Sequence, residues 1–393
     1  MANNFPKFTS FNFSFDFFEK RSIHPFYQSI FNKTNGKLLA NDISPLGNLA
    51  DLTEIKLIPP YLQPNYNDLT LSMNICKIYR IQGYMANLNG FSDLDHYMAA
   101  KMSAKHRSKI RNRVRRLEKC FNISYKIYFG EITKKEYDNL FERFESLIKR
   151  RFAQRGETHQ SINNWGVYKK TTYQLVLEKK ASLFVIYNRN KPIDICLNYH
   201  YQNIVNHSIR SYDIDYSKFN LGNIDIYKQL EWCFENNFKI FDLRWGDLEY
   251  KQRWCNEIYL YEHHLFYNKN YNPGSPLAYL IVNLYKLKDF IKNKIRIPFL
   301  RKLISFFKIK QDQTNNMSNY TIEKTDVRDI RQTDDFIEIN LNTEEYAFLR
   351  KPTYDFQFGF SEATKDIGVY KLALENESYI IIGKKSSQKL NFK

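Results

Sequence analysis

The chain has 393 residues, 59 Lys/Arg against 42 Asp/Glu for a net charge of +17, with 43% hydrophobic and 16% aromatic residues. That length exceeds one ordinary core, so two or three domains are expected, and the apolar content excludes global disorder. The charge is local. Nine Lys/Arg against one Glu lie between Lys101 and Lys119, and nine against one Asp between Lys286 and Lys310. This excludes a uniformly basic nucleic-acid coat and leaves two basic surfaces.

In chain order, residues 1–90 mix short β-like runs, the best at Leu71–Ile81, with loops around Pro59, Pro60 and Pro64. No signal peptide is expected at the N-terminus, because no charged segment precedes a continuous apolar core. Ser92–Lys119 reads as one basic helix with a narrow apolar stripe of Met98, Met102, Ile110, Val114 and Leu117. Ile123–Phe129 alternates like a strand. Thr133 with Glu136 three residues on forms a capping-box pattern for a helix to about Phe152, and another helix is expected over 165–180. Three strands follow at 181–188, 192–201 and 204–213, joined by short polar turns. Then come a loop with Gly222, a helix, a strand ending at Trp245, a helix start at Tyr250–Lys251 and a last strand over 258–267.

Leu277–Lys310 is amphipathic and basic, interrupted at Pro298, with Leu284, Leu287, Ile291 and Ile295 on one face. Such a segment suits either an anionic membrane surface or packing on the domain. Gln311–Asn319 is a polar linker, and 320–393 reads as a small, mainly β appendage. The longest apolar run, near 276–285, is about half a membrane span. The five scattered cysteines lack CxxC spacing, as expected of reduced thiols in a cytoplasmic protein. No histidine–carboxylate spacing points to a metal.

The most informative stretch is Ser208–Trp254, where strand, loop, helix, strand and helix start follow one another. That order places backbone N–H groups at a helix N-terminus, where a pyrophosphate is well received. The wording of the stretch resembles the GNAT acetyltransferases, in particular the cellulose-biosynthesis-type group, itself similar to the FemAB aminoacyltransferases. The resemblance rests on Ser217–Gly222, on Phe241-Asp242-Leu243-Arg244-Trp245-Gly246, on Tyr250-Lys251-Gln252-Arg253-Trp254, and on the basic helix at 105–119. It covers about residues 90–267.

The resemblance implies an α/β (α+β) GNAT-like fold of tandem halves: a degenerate first half over 1–130, a catalytic half over 131–270, basic amphipathic helices over 271–311 and the appendage over 320–393. It implies acyl transfer from a thioester donor, acetyl-CoA, to an amine acceptor, with an amino sugar of cell-surface polysaccharide production as the acceptor class. The donor would lie on Tyr216, Ser217, Phe219, Asn220, Leu221, Gly222 and Asn223. Backbone N–H groups near Asp213–Tyr216 would polarise the carbonyl. Tyr250 would protonate the leaving sulfur, and Lys251 would stabilise the oxyanion or a phosphate. Asp213 and Asp215 are candidates to orient or deprotonate the amine, or form a solvated turn pair. Either Asp247 or Glu249 could be the base. Asp242 is expected in a buried strand, hydrogen-bonded to the nearby loop. Arg107, Arg111 and Arg115 share one i, i+4 row and face a phosphorylated partner. Two rivals stay open: a FemAB-like enzyme using aminoacyl-tRNA, the basic helix suiting the tRNA, and a non-catalytic binding protein of the same fold.

Overall fold

The computed structural model describes residues 7–41, 50–268, 274–294, 320–325, 336–373 and 377–392. The first segment supplies β1 (Phe8–Asn12), the short helix α1 (Phe13–Phe18), β2 (Tyr27–Asn32) and β3 (Lys37–Ala40), followed by β4 (Leu52–Ile58), β5 (Leu62–Tyr66) and the long β6 (Met73–Asn87). The basic region forms two helices, α2 (Leu94–Lys101) and α3 (Ala104–Cys120), instead of one. The reason is local: Met102 is extended, and Ser103 accepts the His106 N–H and starts a new helix. The expected stripe is buried nonetheless, with Met98, Met102, Ile110, Val114 and Leu117 all in the core.

β7 (Ile123–Tyr128) leads to α4 (Lys134–Ala153). Thr133 Oγ1 accepts the Glu136 N–H at 3.2 Å, one half of the capping box. The Glu136 carboxylate instead takes Lys126 and the Tyr128 hydroxyl, so the reciprocal half is missing. α5 (Trp165–Leu177) precedes three strands, β8 (Ala181–Asn188), β9 (Lys191–Tyr201) and β10 (Ile204–Tyr212). A 3₁₀ turn, Ile214–Phe219, opens α6 (Leu221–Glu235), then β11 (Ile240–Trp245), α7 (Glu249–Trp254) and β12 (Glu257–Asn268).

Nine strands form one sheet in the order β1-β4-β12-β6-β11-β10-β9-β8-β7. β1–β4 and β10–β11 are parallel pairs; the remaining neighbours are antiparallel. The sheet is continuous across residue 130, because β12 inserts between β4 and β6 and β11 pairs with β6. Helices cover both faces. On one, Phe141 and Phe144 of α4 and Val176 of α5 pack with Leu183, Ile195 and Leu197. On the other, Tyr97, Ile110, Ile226 and Leu230 pack with Val205 and Phe241, and Leu117, Leu221 and Ile224 with Phe184 and Ile186. Burial of both faces explains why these strands read as apolar runs.

α8 (Gly274–Lys294) follows. Its Ala278 is buried against Leu52 and Leu265, with Leu277, Ile281 and Val282 alongside, while Leu280, Leu284 and Leu287 are exposed. Residues 295–310 of the expected basic segment lie outside the described residues. Among the described residues no helix is long and apolar enough to cross a membrane. The C-terminal unit has the sheet order β13-β17-β16-β15-β14, from β13 (Tyr320–Thr325), β14 (Phe336–Glu338), β15 (Gly368–Leu372), β16 (Ser378–Ile382) and β17 (Ser387–Phe392). It adds a helix that composition did not announce, α9 (Arg350–Phe360).

Candidate active site

β10 and β11 are parallel and joined through α6, but their ladder is short. Ile204–Asn206 pair with Ile240–Asp242, and no pairing continues although the strands run on to Tyr212 and Trp245. A register shift between His207 and Ile209, another after Asp242, and a left-handed Arg244 (φ 61°) accompany the parting. The carboxyl ends of two diverging parallel strands form the place in an open α/β sheet where ligands are received.

On one face of this cleft the gap is bridged by Arg244, whose Nη1 donates to Ser208 Oγ at 2.8 Å and to Glu19 Oε1 at 3.1 Å. Asp242, fully buried, accepts from the Tyr61 hydroxyl at 2.5 Å, the Tyr259 hydroxyl at 2.7 Å and the Arg244 N–H at 2.7 Å. It is a structural acceptor with its lone pairs in use.

α7 follows β11 directly. Gly246 (φ 104°) turns the chain from β11 into the segment before α7, a backbone state that favours glycine. The turn folds Lys251 back so that its Nζ donates to the Trp245 carbonyl at 2.5 Å. Lys251 is 6% exposed, and burial pushes its pKa down from 10.5 to about 8. Tyr250 lies beside it, its ring centre 6.0 Å from the Arg210 guanidinium carbon. Burial raises its phenol above the ordinary value, partly offset by Arg210, so it remains a proton donor at neutral pH. Glu249 points the other way, exposed and paired with Arg253. Asp247 accepts from Tyr84 at 2.9 Å and from Gln252.

Asp213 and Asp215 stand at the end of β10 in a buried ion-pair cluster, not in a solvated turn. Asp213 is met by Arg143 at 2.8 Å, Arg150 at 2.7 Å and Lys191 at 3.6 Å, and Asp215 by Arg150 at 2.6 Å. Burial pushes Asp213 up, but the three cations outweigh it and hold the group below the ordinary value. Asp215 is raised, by burial and then by Asp213 against the pull of Arg150. The nearby N–H groups are occupied: Asp213 donates to Ile193 O, Asp215 to Asp213 Oδ1 and Tyr216 to Asp213 O.

The loop ahead of α6 is divided between core and surface. Tyr216, Phe219 and Leu221 are buried, Ser217 is exposed, and Asn220 takes the left-handed conformation that opens the helix. Asn223 is buried and its Oδ1 accepts the Trp254 indole N–H at 2.7 Å, fastening α6 to α7. Gly222 has a specific steric reason. A Cβ there would lie 2.3 Å from the Arg210 guanidinium, which bonds the Gly222 carbonyl at 3.0 Å. α9 roofs the loop: Tyr354 packs on Tyr216 with ring centres 4.6 Å apart and the rings tilted, Phe358 meets Phe219 at 5.1 Å, and Phe121 touches all three of Tyr216, Phe219 and Tyr354.

The row on α3 is partly tied down. Arg107 donates to Met102 O, Arg111 pairs with Asp95 and Arg115 reaches Asn112. The fold thus brings Tyr250, Lys251, Gly222 and Asn223 to one region and leaves Glu249 facing solvent, with the α3 row on its own surface.

One part of the site carries residues that motif reading passed over. Arg210 pairs with Asp225 at 3.2 Å; Asp225 accepts from Gln229, which accepts from Asn198 Nδ2 at 2.6 Å. Cys196 Sγ lies 3.2 Å from His207 Nδ1. Burial raises Asp225 to about 6 against Arg210 and pushes His207 well down, so the imidazole is neutral. Asp194, fully buried with neither oxygen hydrogen-bonded, is raised well above the ordinary carboxylate range by burial and by Asp225, against Arg210 and Arg151. The signal was available: Asp194, Cys196, Asn198 and His200 alternate along a strand that reads as buried, opposite Asp225 and Gln229 at i, i+4. Cys196, His207 and Asp225 come close enough to share a cation, but the Arg210 charge on Asp225 already supplies one.

These features define a mixed α/β, GNAT-like fold whose parallel strands β10 and β11 part beyond Asn206 and Asp242. Residues 104–252 match the family model described as acetyltransferase (GNAT) domain, which supports acyl transfer as the class of chemistry. No curated protein matches the chain. Among solved structures the chain is similar to FemX, at 11% identity and TM-score 0.41, covering 59% of this chain and 74% of that one. It is also similar to the C-terminal domain of an Agrobacterium fabrum protein named after lysylphosphatidylglycerol synthetase, at 9% identity and TM-score 0.38, covering 59% and 72%. A conserved protein of unknown function from Bacteroides thetaiotaomicron VPI-5482 is similar at 10% identity and TM-score 0.33, covering 55% and 70%.

Proposed function

We propose that the protein is an N-acyltransferase whose reaction centre is the cleft between β10 and β11, with Lys251 and Tyr250 as its catalytic groups. The observation that carries this is the buried Lys251 amine, lowered to about 8 and held on the Trp245 carbonyl, within the stretch that matches the GNAT domain. An amine poised near neutrality can accept a proton from an attacking amine or, when charged, meet a developing oxyanion. Tyr250 is the proton donor to the leaving group. The donor is an activated carbonyl, acetyl-CoA in the first reading, and the acceptor an amine, for which an amino sugar of cell-surface polysaccharide is our candidate. We place the protein in the cytoplasm, in contact with an anionic membrane surface through the exposed Leu280, Leu284 and Leu287 of α8.

A second reading, the FemAB-like use of aminoacyl-tRNA, draws support from the α9 roof over the loop and the Arg210 side chain against Gly222, which take space that a pyrophosphate would use. Calorimetric titration with acetyl-CoA, desulfo-CoA and an aminoacyl-tRNA separates them. Micromolar binding of both CoA species supports the first reading. Binding of the charged tRNA alone moves the assignment to the second, and binding of neither defeats both donors.

A further inference from the structure

A cavity of about 840 Å³ lies between the C-terminal unit and the edge of the main sheet, at the end of the sheet where β10 terminates. Its wall includes Arg143, Arg189, Lys191 and Arg350, with Glu344 as the sole carboxylate among the lining side chains. Glu344 is largely exposed and pairs with Arg350 at 3.3 Å, which leaves Arg143, Arg189 and Lys191 to set the interior charge. Arg350 is fixed in place, donating through Nε to Leu341 O at 2.7 Å and through Nη2 to Asn342 O and Thr343 O. Arg143, Arg150 and Lys191 face Asp213 and Asp215, three cations on two carboxylates, with Arg150 bound to both. Lys191 is correspondingly lowered, by burial first, with Arg143 and Arg350 adding to it against Asp213.

A second feature points to an occupant. Gln357 lines the cavity at 1% exposure, and its Oε1 has no hydrogen-bond partner. Its Nε2 is committed to Thr364 Oγ1 at 3.1 Å and Cys120 O at 3.3 Å, which fixes the amide orientation and leaves the acceptor open. A buried acceptor without a donor costs roughly 1–3 kcal/mol, a cost that a ligand hydroxyl or N–H would remove.

We propose that this cavity binds a diphosphate-bearing ligand of nucleotide size, its charge on Arg143, Arg189, Lys191 and Arg350 and one hydroxyl or N–H on Gln357. The cation count calls for more than one negative charge, and pockets of roughly 300–1,000 Å³ hold ligands of this size. The binding site stands without the transfer reading. Its use as the seat of a phosphorylated acceptor rests on that reading, and a binding measurement without turnover keeps failure of one distinct from failure of the other.

The test is calorimetric titration of the full chain with UDP, inorganic pyrophosphate and uridine at fixed moderate salt. Micromolar binding of UDP, weaker binding of pyrophosphate and none of uridine is expected. Arg189→Ser with Lys191→Met should weaken UDP at least tenfold. Gln357→Leu should weaken UDP but leave pyrophosphate unchanged, and a thermal melt checks that each variant is folded. Replacing Arg107, Arg111 and Arg115 by Gln should leave UDP binding within twofold. Absence of both UDP and pyrophosphate binding by the unmodified protein overturns the proposal. So does binding that survives the Arg189/Lys191 pair and is lost with the α3 row.

Discussion

In the proposed reaction Lys251 sets function against stability within one side chain. Its amine is lowered from 10.5 to about 8 because burial disfavours the ammonium, which at neutral pH opposes folding by ~3 kcal/mol. Lys251→Met is therefore expected to raise the urea midpoint at pH 7 while reducing transfer at least ~100-fold. Between about 8 and 10.5 the unfolded chain binds the proton that the folded chain has released, so the unmodified protein gains stability over that window. The advantage of the Met variant should fade there, and denaturation at pH 7 and pH 10 reads the difference. If the neutral amine is the base, the rate rises as pH passes about 8, and a flat profile in kcat/KM would remove that role. Tyr250→Phe keeps the packing and loses the proton. A drop of ~100-fold in kcat with KM unchanged is expected, measured with a donor that has a poor leaving group.

At the scale of elements, α6 is positioned by Arg210 as much as by its loop. Gly222→Ala would put a methyl 2.3 Å from the guanidinium and drive it off Asp225. A loss of ~2–3 kcal/mol by denaturant melt is expected, from a residue outside the hydrophobic core. Most elements were legible because their patterns are local. The strands of 181–213 and the stripe of α3 repeat at periods that neighbouring residues reveal. The break at Ser103 was not, since the cap competes with strong helix formers on both sides. Of the candidate site, the wording singled out the α7 pair and the loop, which the fold brings to one region. The Arg143–Arg150 clamp on Asp213 could not, because helix and strand end are about 65 residues apart in the chain and meet only through the fold.

At the scale of the molecule, the C-terminal unit is structurally part of the core. α9 covers Phe121, Tyr216 and Phe219 and fastens Arg116 through the Phe358 carbonyl at 3.1 Å. A chain ending before residue 320 would expose that aromatic cluster next to the cleft. Such a truncation is expected to be recovered mostly as aggregate, as judged by size-exclusion chromatography beside the full chain. Tyr354→Ala should instead stay folded and lower the melting temperature by several degrees.

The three-residue ladder between β10 and β11 has a mechanical consequence. The junction of β11 with β6 is nearly as short, three consecutive pairs and one more beyond a bulge, whereas β9–β10 and β6–β12 are stitched over longer runs. β11 is therefore a weakly stitched strand between two stiffer plates, with Arg244, Ser208 and Glu19 acting as a clasp across its junction with β10. Slow amide exchange should persist within each plate and fail first along β11, so that the proposed reaction centre lies on the line about which the two plates flex.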